Sequence, residues 1–120
     1  MILVTGCAGF IGFHLVNDLL SKKHKVIGID NINSYYEKKL KIDRINILKK
    51  FKNFIFIKKD LSNFKELMKS LKRLKFNFII HLAAQPGVRF SLENPHITLS
   101  NNLVPFINIL EIARIRRIKK

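Results

Sequence analysis

Short runs of branched apolar residues alternate along this chain with longer stretches whose apolar positions recur every three or four residues. Residues 2–4 (ILV), 25–30 (KVIGID), 53–58 (NFIFIK) and 77–82 (NFIIHL) are the short runs. Continuous apolar runs of that length suit strands buried on both faces. Between them, Phe13, Val16, Leu19 and Leu20 fall at helical spacing and predict a helix over 10–21. Leu40, Ile45 and Leu48 predict a second helix over 37–50, after a polar loop at 31–36. Phe64, Leu67, Met68, Leu71 and Leu74 form the apolar face of a third, which Ser62 or Asn63 can cap. Residues 83–94 read as a polar loop, and Asn94-Pro95 as a cap followed by proline in the first helical turn. A long helix over 96–118 is expected to bury Ile97, Val104, Ile107, Leu110 and Ile115, and to kink at Pro105, which removes a backbone donor. Alternating strands and helices predict an α/β fold: a doubly wound parallel sheet of four strands in the order 3-2-1-4, with right-handed crossovers and helices on both faces.

Composition narrows this without redirecting it. The 120 residues make one domain at most, of a size that buries a core without covalent staples. The single cysteine excludes an intramolecular disulfide. No apolar run is long enough to span a bilayer and no basic-then-apolar leader opens the chain, so the cytoplasm is the expected location, with no membrane partner. A net charge of +15 invites a nucleic-acid reading. Against it, the 23 basic residues are scattered along the chain, and no nucleic-acid partner is expected. The closing group of Arg114, Arg116, Arg117, Lys119 and Lys120 reads as cations favoured at a helix C-terminus. The four histidines stand apart, so no metal site is assigned.

The candidate chemistry begins where the first strand breaks. Gly6, Gly9 and Gly12 recur at three-residue spacing between that strand and the first helix. In a strand–turn–helix nucleotide site the first glycine permits the turn, the second lets backbone approach a pyrophosphate, and the third lets helix pack on strand. The helix start adds unpaired N–H groups and a positive dipole end. A tight turn alone would also use glycines, but the flanking strand and helix favour a dinucleotide. Asp30 ends the second strand 18 residues after Gly12, where a carboxylate accepts from adenosine ribose hydroxyls and repels a 2′-phosphate. With no arginine close behind it, NAD is favoured over NADP; the alternative for Asp30 is a turn cap. Asp60 ends the third strand, where it either reaches an adenine amino group or caps a turn. Ala83 and Ala84 are small residues at the carboxyl end of the fourth strand, where a nicotinamide half can lie close to backbone. Arg89 either pairs with a phosphate or carboxylate or is simply solvated. His81 reads as a packed structural histidine, and Tyr35 with Lys39 as a coincidental Tyr-x-x-x-Lys pattern at the adenosine end.

Taken together, "ILVTGCAGFIGFHLVNDLL", "VIGIDNINSYY", "FIKKDL" and "HLAAQPGVRFSLENP" resemble, in order, the cofactor-side motifs of the extended short-chain dehydrogenase/reductase family, its NAD-dependent epimerase/dehydratase branch, and nearest to them the UDP-glucuronate 4-epimerases. The resemblance implies a Rossmann domain with NAD as cofactor. By position, Gly6, Gly9, Phe10, Ile11 and Gly12 match the pyrophosphate loop; Asp30, Asn31 and Asn33 the adenosine ribose; Asp60 and Leu61 the adenine contact. Leu82, Ala83, Ala84 and Gln85 match the loop beside the nicotinamide ribose, and Asn102 an asparagine in the next helix. Gly87, Val88 and Arg89 match the loop that approaches the nucleotide sugar, a UDP-glucuronate-like substrate in the complete enzymes. Pro86 and Pro105 replace a common alanine and glycine, and Cys7 stands where a small alanine-like residue is usual.

The family's fifth strand, its Tyr-x-x-x-Lys general base and its C-terminal substrate domain have no match in these residues. The expectation is therefore an incomplete N-terminal NAD-binding domain over 1–120 with no catalytic residue of its own, inactive alone: a fragment, a truncated product or half of a split enzyme. The alternatives are a non-catalytic NAD-binding or interaction remnant, and the NAD-binding part of a nucleotide-sugar dehydratase. Strand four, lacking its outer neighbour, is expected to make the chain marginally stable and prone to self-association, or to pairing with a chain that carries the missing part.

Overall fold

The computed structural model describes residues 1–35 and 37–118. Tyr36, of the expected loop, and Lys119 and Lys120, of the closing cation group, lie outside the described residues. The elements follow one another as β1 (Ile2–Thr5), α1 (Phe10–Ser21), β2 (Val26–Asp30), α2 (Lys38–Leu48), β3 (Phe54–Lys58), α3 (Phe64–Leu71), β4 (Phe78–His81), α4 (Val88–Glu93) and α5 (Pro95–Ile115). All pairings are parallel and the strand order is β3-β2-β1-β4, as the alternation predicts. Ile2 of β1 stands opposite Val26 and Phe78, and Val26 in turn opposite Phe54.

Strand residues divide between two cores by alternation, because successive side chains leave opposite faces of a sheet. Val4 and Val26 meet Val16 and Leu20 of α1 and Ile45 and Leu48 of α2. Leu3, Ile27 and Ile29 meet Leu67 and Leu71 of α3 and Ile109 and Ile112 of α5. Helices therefore cover both faces, which is why β1 and β2 can be apolar without interruption.

Several local expectations need correction. A short helix, α4, occupies residues expected to be loop. The face expected to anchor α5 is the wrong one: Pro105, Ile109 and Ile112 are buried, whereas Ile97, Val104, Ile107, Leu110 and Ile115 are all exposed. This helix is apolar nearly all round, so spacing alone does not choose its face. In α2, Leu40 is 45% exposed and Lys41 is buried in its place. The helix α5 remains one element through Pro105. Asn63 caps α3 by accepting from Glu66 N–H at 3.2 Å, as expected. Asn94 precedes Pro95 but gives no side-chain cap; its amide group instead donates to the Phe90 carbonyl at 3.5 Å.

Polar bonds fix α5 where apolar periodicity does not. Asn108 Nδ2 donates to the carbonyls of Leu61 (2.7 Å) and Ser62 (3.1 Å). Arg116 is more than a cation near a helix end. Its guanidinium donates to the carbonyls of Leu71 (2.9 Å), the last residue of α3, and Leu74 (3.5 Å) just beyond it, and lies over the Phe76 ring. Among the described residues no helix is long and apolar enough to cross a membrane. Nor do any three His, Cys, Asp or Glu side chains gather as a metal site.

Candidate functional site

The carboxyl ends of β1, β2 and β4 converge on the glycine turn. Gly6 has φ +71°, the left-handed region that favours glycine, and a Cβ there would lie 2.8 Å from the Ala83 backbone nitrogen. A Cβ on Gly12 would fall 2.0 Å from the Gly6 carbonyl oxygen. These two glycines therefore bring the β1 turn, the β4 loop and α1 into backbone contact. A Cβ on Gly9 would meet only that same oxygen, at 3.2 Å, so space rather than packing is what Gly9 provides. Gly9 is also the N-cap of α1 and supplies no side-chain cap, and the first turn holds no acidic residue. The helix start is thereby left electropositive. Phe10 and Ile11 on that turn are about two-thirds exposed.

A cleft of about 140 Å³ opens beside the turn. Of the residues expected to hold a cofactor, Gly6, Asp30, Asn31, Asn33, Asp60, Leu61, Leu82, Ala83, Ala84 and Gln85 line it. Gly9, Phe10, Ile11 and Gly12 lie next to it on α1 and its cap, outside the lining itself. Asp30 is buried, and its carboxylate is held from both sides: Ala8 N–H donates to Oδ2 at 3.0 Å and Ile32 N–H to Oδ1 at 2.8 Å. Each oxygen keeps acceptor capacity for a ligand. Asp60 Oδ1 accepts from both Ser62 N–H (2.8 Å) and Ser62 Oγ–H (2.7 Å), which makes it a turn residue as well as a wall of the cleft.

Three residues of this region carry weight that sequence reading did not assign them. Arg44 of α2 donates to the Ala8 carbonyl at 3.1 Å and lies over the Phe10 and Phe13 rings. It thus fixes the peptide unit next to the one that binds Asp30. Lys41 lines the cleft. Thr5, fully buried at the end of β1, holds the β4 loop: its Oγ1 accepts from Leu82 N–H (3.1 Å) and Ala83 N–H (3.2 Å). The hydroxyl proton then goes to His81 Nδ1 at 2.7 Å. That assignment makes His81 a neutral acceptor at Nδ1, and burial pushes its pKa below the ordinary 6.5. His81 is thus the structural histidine expected of it.

A pH dependence follows. A histidine whose folded pKa is depressed contributes stability above 6.5, and loses it as pH falls toward the folded value, because the unfolded chain takes up the proton first. Thermal melts from pH 7.5 to 5 are expected to fall more steeply for the native protein than for His81→Gln. Parallel curves would show that the Thr5–His81 bond does not report on stability.

Cys7 is fully buried, and burial followed by the nearby Asp30 charge raises its thiol well above the ordinary range. It is a packed side chain and not a reactive thiol. Gly28 on β2 leaves the room it needs, since a Cβ there would come 2.7 Å from Cys7 Sγ.

On the β4 side, Asn102 does not line the cleft. Its side chain clamps the Gln85 backbone, Oδ1 accepting from Gln85 N–H (2.6 Å) and Nδ2 donating to the Gln85 carbonyl (3.2 Å). Pro86 and Pro105 both reach the lining. Gly87, Val88 and Arg89 lie beyond it, where α4 begins. The Arg89 side chain is 92% exposed and pairs with Glu93 at 3.0 Å. Tyr35 lines the cleft and meets the Phe90 ring edge-on, so the β2 loop touches α4. Lys39 is exposed outside the cleft, so the Tyr35–Lys39 pattern does not assemble there.

These residues fit a dinucleotide on their geometry. The turn excludes a Cβ at Gly6 and Gly12, the helix start beyond it is uncapped, and a buried carboxylate faces the cleft beside it. The family model described as GDP-mannose 4,6 dehydratase matches residues 3–120. A UDP-glucuronate 4-epimerase of Thermodesulfobacterium geofontis is 42% identical over 118 residues, covering 98% of this chain and 36% of the relative. Among solved structures, the Bacillus cereus UDP-glucuronic acid 4-epimerase in complex with UDP-glucuronic acid and NAD superposes with TM-score 0.80 at 35% identity, over 94% of this chain and 36% of that one. The UDP-Glc/GlcNAc 4-epimerase of Campylobacter jejuni gives TM-score 0.85 at 31% identity, over 98% of this chain and 34% of its own. The chain thus spans about a third of the length of the relatives it matches.

Proposed function

The chain belongs to the GDP-mannose 4,6 dehydratase family, and from that premise we propose that it is the NAD-binding part of a nucleotide-sugar 4-epimerase acting on a UDP-glucuronate-like substrate. The observation that carries the NAD-binding part of this reading is Asp30, buried, anchored by two backbone N–H groups and lining the cleft beside the glycine turn; the 4-epimerase part is supported by the likeness to UDP-glucuronate 4-epimerases. A carboxylate so held is preorganised to accept from the two hydroxyls of an adenosine ribose. It repels a 2′-phosphate by charge. Phe10 and Ile11, in the first turn of α1, take the pyrophosphate through backbone N–H groups, while Gly9, whose own N–H goes to the Gly6 carbonyl, leaves room for it to approach. Ala83, held in place by Thr5, and Ala84 beside it leave room for the nicotinamide half. NAD, when bound, supplies reversible hydride transfer at a sugar carbon.

On this reading residues 1–120 belong to one NAD-binding domain, of which they are a part, and none of the described residues is assigned as the general base. The exposed edge of β4 is where further strands, or a second chain, would pair. A nucleotide-sugar dehydratase is the second reading, supported by the description of the matching family model.

Titration calorimetry on the chain is expected to give NAD binding at least about tenfold tighter than NADP, with no turnover of UDP-glucuronate. Gly9→Leu should abolish that binding with only a modest loss of fold, because a Cβ there meets a single backbone oxygen, that of Gly6, at 3.2 Å. Equal or tighter NADP binding overturns the role given to Asp30. Turnover that disappears in Tyr35→Phe would make Tyr35 the base after all.

A further inference from the structure

Lys41 occupies a place where a lysine is costly. The core-facing stripe of α2 is Lys41, Ile45 and Leu48, spaced four and three residues apart and all buried. An ammonium there gives up hydration and has to be compensated by partners. Both of its hydrogen bonds go to one residue: Nζ donates to Asn33 Oδ1 and, at 3.3 Å, to the Asn33 carbonyl. Among the described residues no carboxylate forms an ion pair with it. An ammonium has three N–H donors, so one remains without an acceptor among the described residues, in a side chain that lines the same cleft as Asp30, Asn31 and Asn33.

The chemistry of the cleft wall gives that donor a use. Asp30 offers acceptors only, one or more lone pairs on each oxygen beyond those taken by Ala8 and Ile32. A vicinal diol has two protons to give and lone pairs to satisfy. Asp30 takes the protons; a fixed donor in the lining of the same cleft completes the match. Resting on the dinucleotide reading above, we propose that Lys41 is a second ribose-reading residue, whose ammonium donates to a hydroxyl oxygen of the diol whose protons Asp30 accepts. Asn33 is then the residue that aims it. The competing role, a staple that only holds the 31–35 loop, uses the Asn33 bonds and leaves cofactor hydroxyls unread.

The two roles separate in calorimetry with NAD and with its analogues lacking the adenosine 2′- or 3′-hydroxyl, comparing the native protein with Lys41→Met. Lys41→Met is expected to weaken NAD about tenfold or more, the worth of one hydrogen bond to a charged group. The penalty for deleting one of the two hydroxyls is expected to shrink at least about threefold in the variant, because that hydroxyl has lost its donor. A uniform loss across all three cofactors, or no loss, overturns the proposal in favour of the staple. Should Lys41→Met fail to fold, the Lys41 ammonium signal in a ¹⁵N-lysine-labelled native protein decides: it shifts with NAD and not with the analogue lacking the read hydroxyl, and identical responses to both overturn the proposal. A native protein that binds no NAD overturns the dinucleotide reading itself, whereas NAD binding with unaltered hydroxyl penalties in the variant overturns this inference alone.

Discussion

Gly12→Ala is expected to unfold the protein or lower its melting midpoint steeply, although alanine is the better helix former. Intrinsic propensity favours alanine over glycine inside a helix by about 1 kcal/mol, and Gly12 sits in the first turn of α1. Against that gain stands a Cβ 2.0 Å from the Gly6 carbonyl oxygen and 2.8 Å from its carbon. Neither atom can swing away as a side-chain tip does. Gly6 is itself held by its N–H to the Ile29 carbonyl at 2.8 Å, and its own Cβ position is filled by the Ala83 backbone. Relief has to move α1 off the sheet, taking Val16 and Leu20 out of the core they share with Val4 and Val26. Overpacking of a core costs about 1–3 kcal/mol when side chains can adjust. Here the obstruction is backbone, so a loss of about 3 kcal/mol or more is expected, a large part of the roughly 5–15 kcal/mol that holds a domain together. Urea denaturation measures it directly, and an unchanged midpoint would mean that helix and turn are not packed as described.

Asp30→Asn is expected to lose on two counts that different instruments can separate. The carboxylate accepts from Ala8 N–H and Ile32 N–H with different oxygens. An asparagine keeps one acceptor oxygen and turns the other into a donor, which leaves one buried backbone N–H unpaired at a cost of about 1–3 kcal/mol. Thermal or chemical denaturation reports that part. Removing the charge also removes an acceptor for a ribose hydroxyl, so NAD affinity is expected to fall about tenfold or more. NADP, no longer repelled by a carboxylate, should lose less than NAD, and the ratio of the two affinities should move toward one. A variant that keeps the native preference for NAD would place cofactor discrimination elsewhere.

Some of this was legible in the residues because it depends on neighbours in the chain. The strand–turn–helix at the start, the strand order and the placement of Asp30 follow from apolar runs, three-residue glycine spacing and a strand-end carboxylate. Those signals are local, since a buried parallel strand has to be apolar on both faces and a tight turn beneath a helix has to lack side chains. The Asn63 cap and the apolar face of α3 were legible for the same reason.

What only the tertiary structure decided are the choices that one element cannot make alone. The apolar residues of α5 surround it, and sheet, α3 and the Asn108 and Arg116 bonds select Pro105, Ile109 and Ile112 as the buried row. Lys41 lies on a core-facing stripe, where polarity alone would have turned it to solvent, because Asn33 arrives from the β2 loop to receive it. Thr5 and His81 are 76 residues apart in the chain and become partners only when β4 lies down beside β1. Asn102 reaches the cleft wall by holding Gln85, a contact between α5 and the loop after β4 that spacing does not encode. Periodicity determined which residues are apolar and how often they recur. The faces they turn, and the polar atoms that meet across the sheet, were decided by packing, since both depend on groups that lie far away in the sequence.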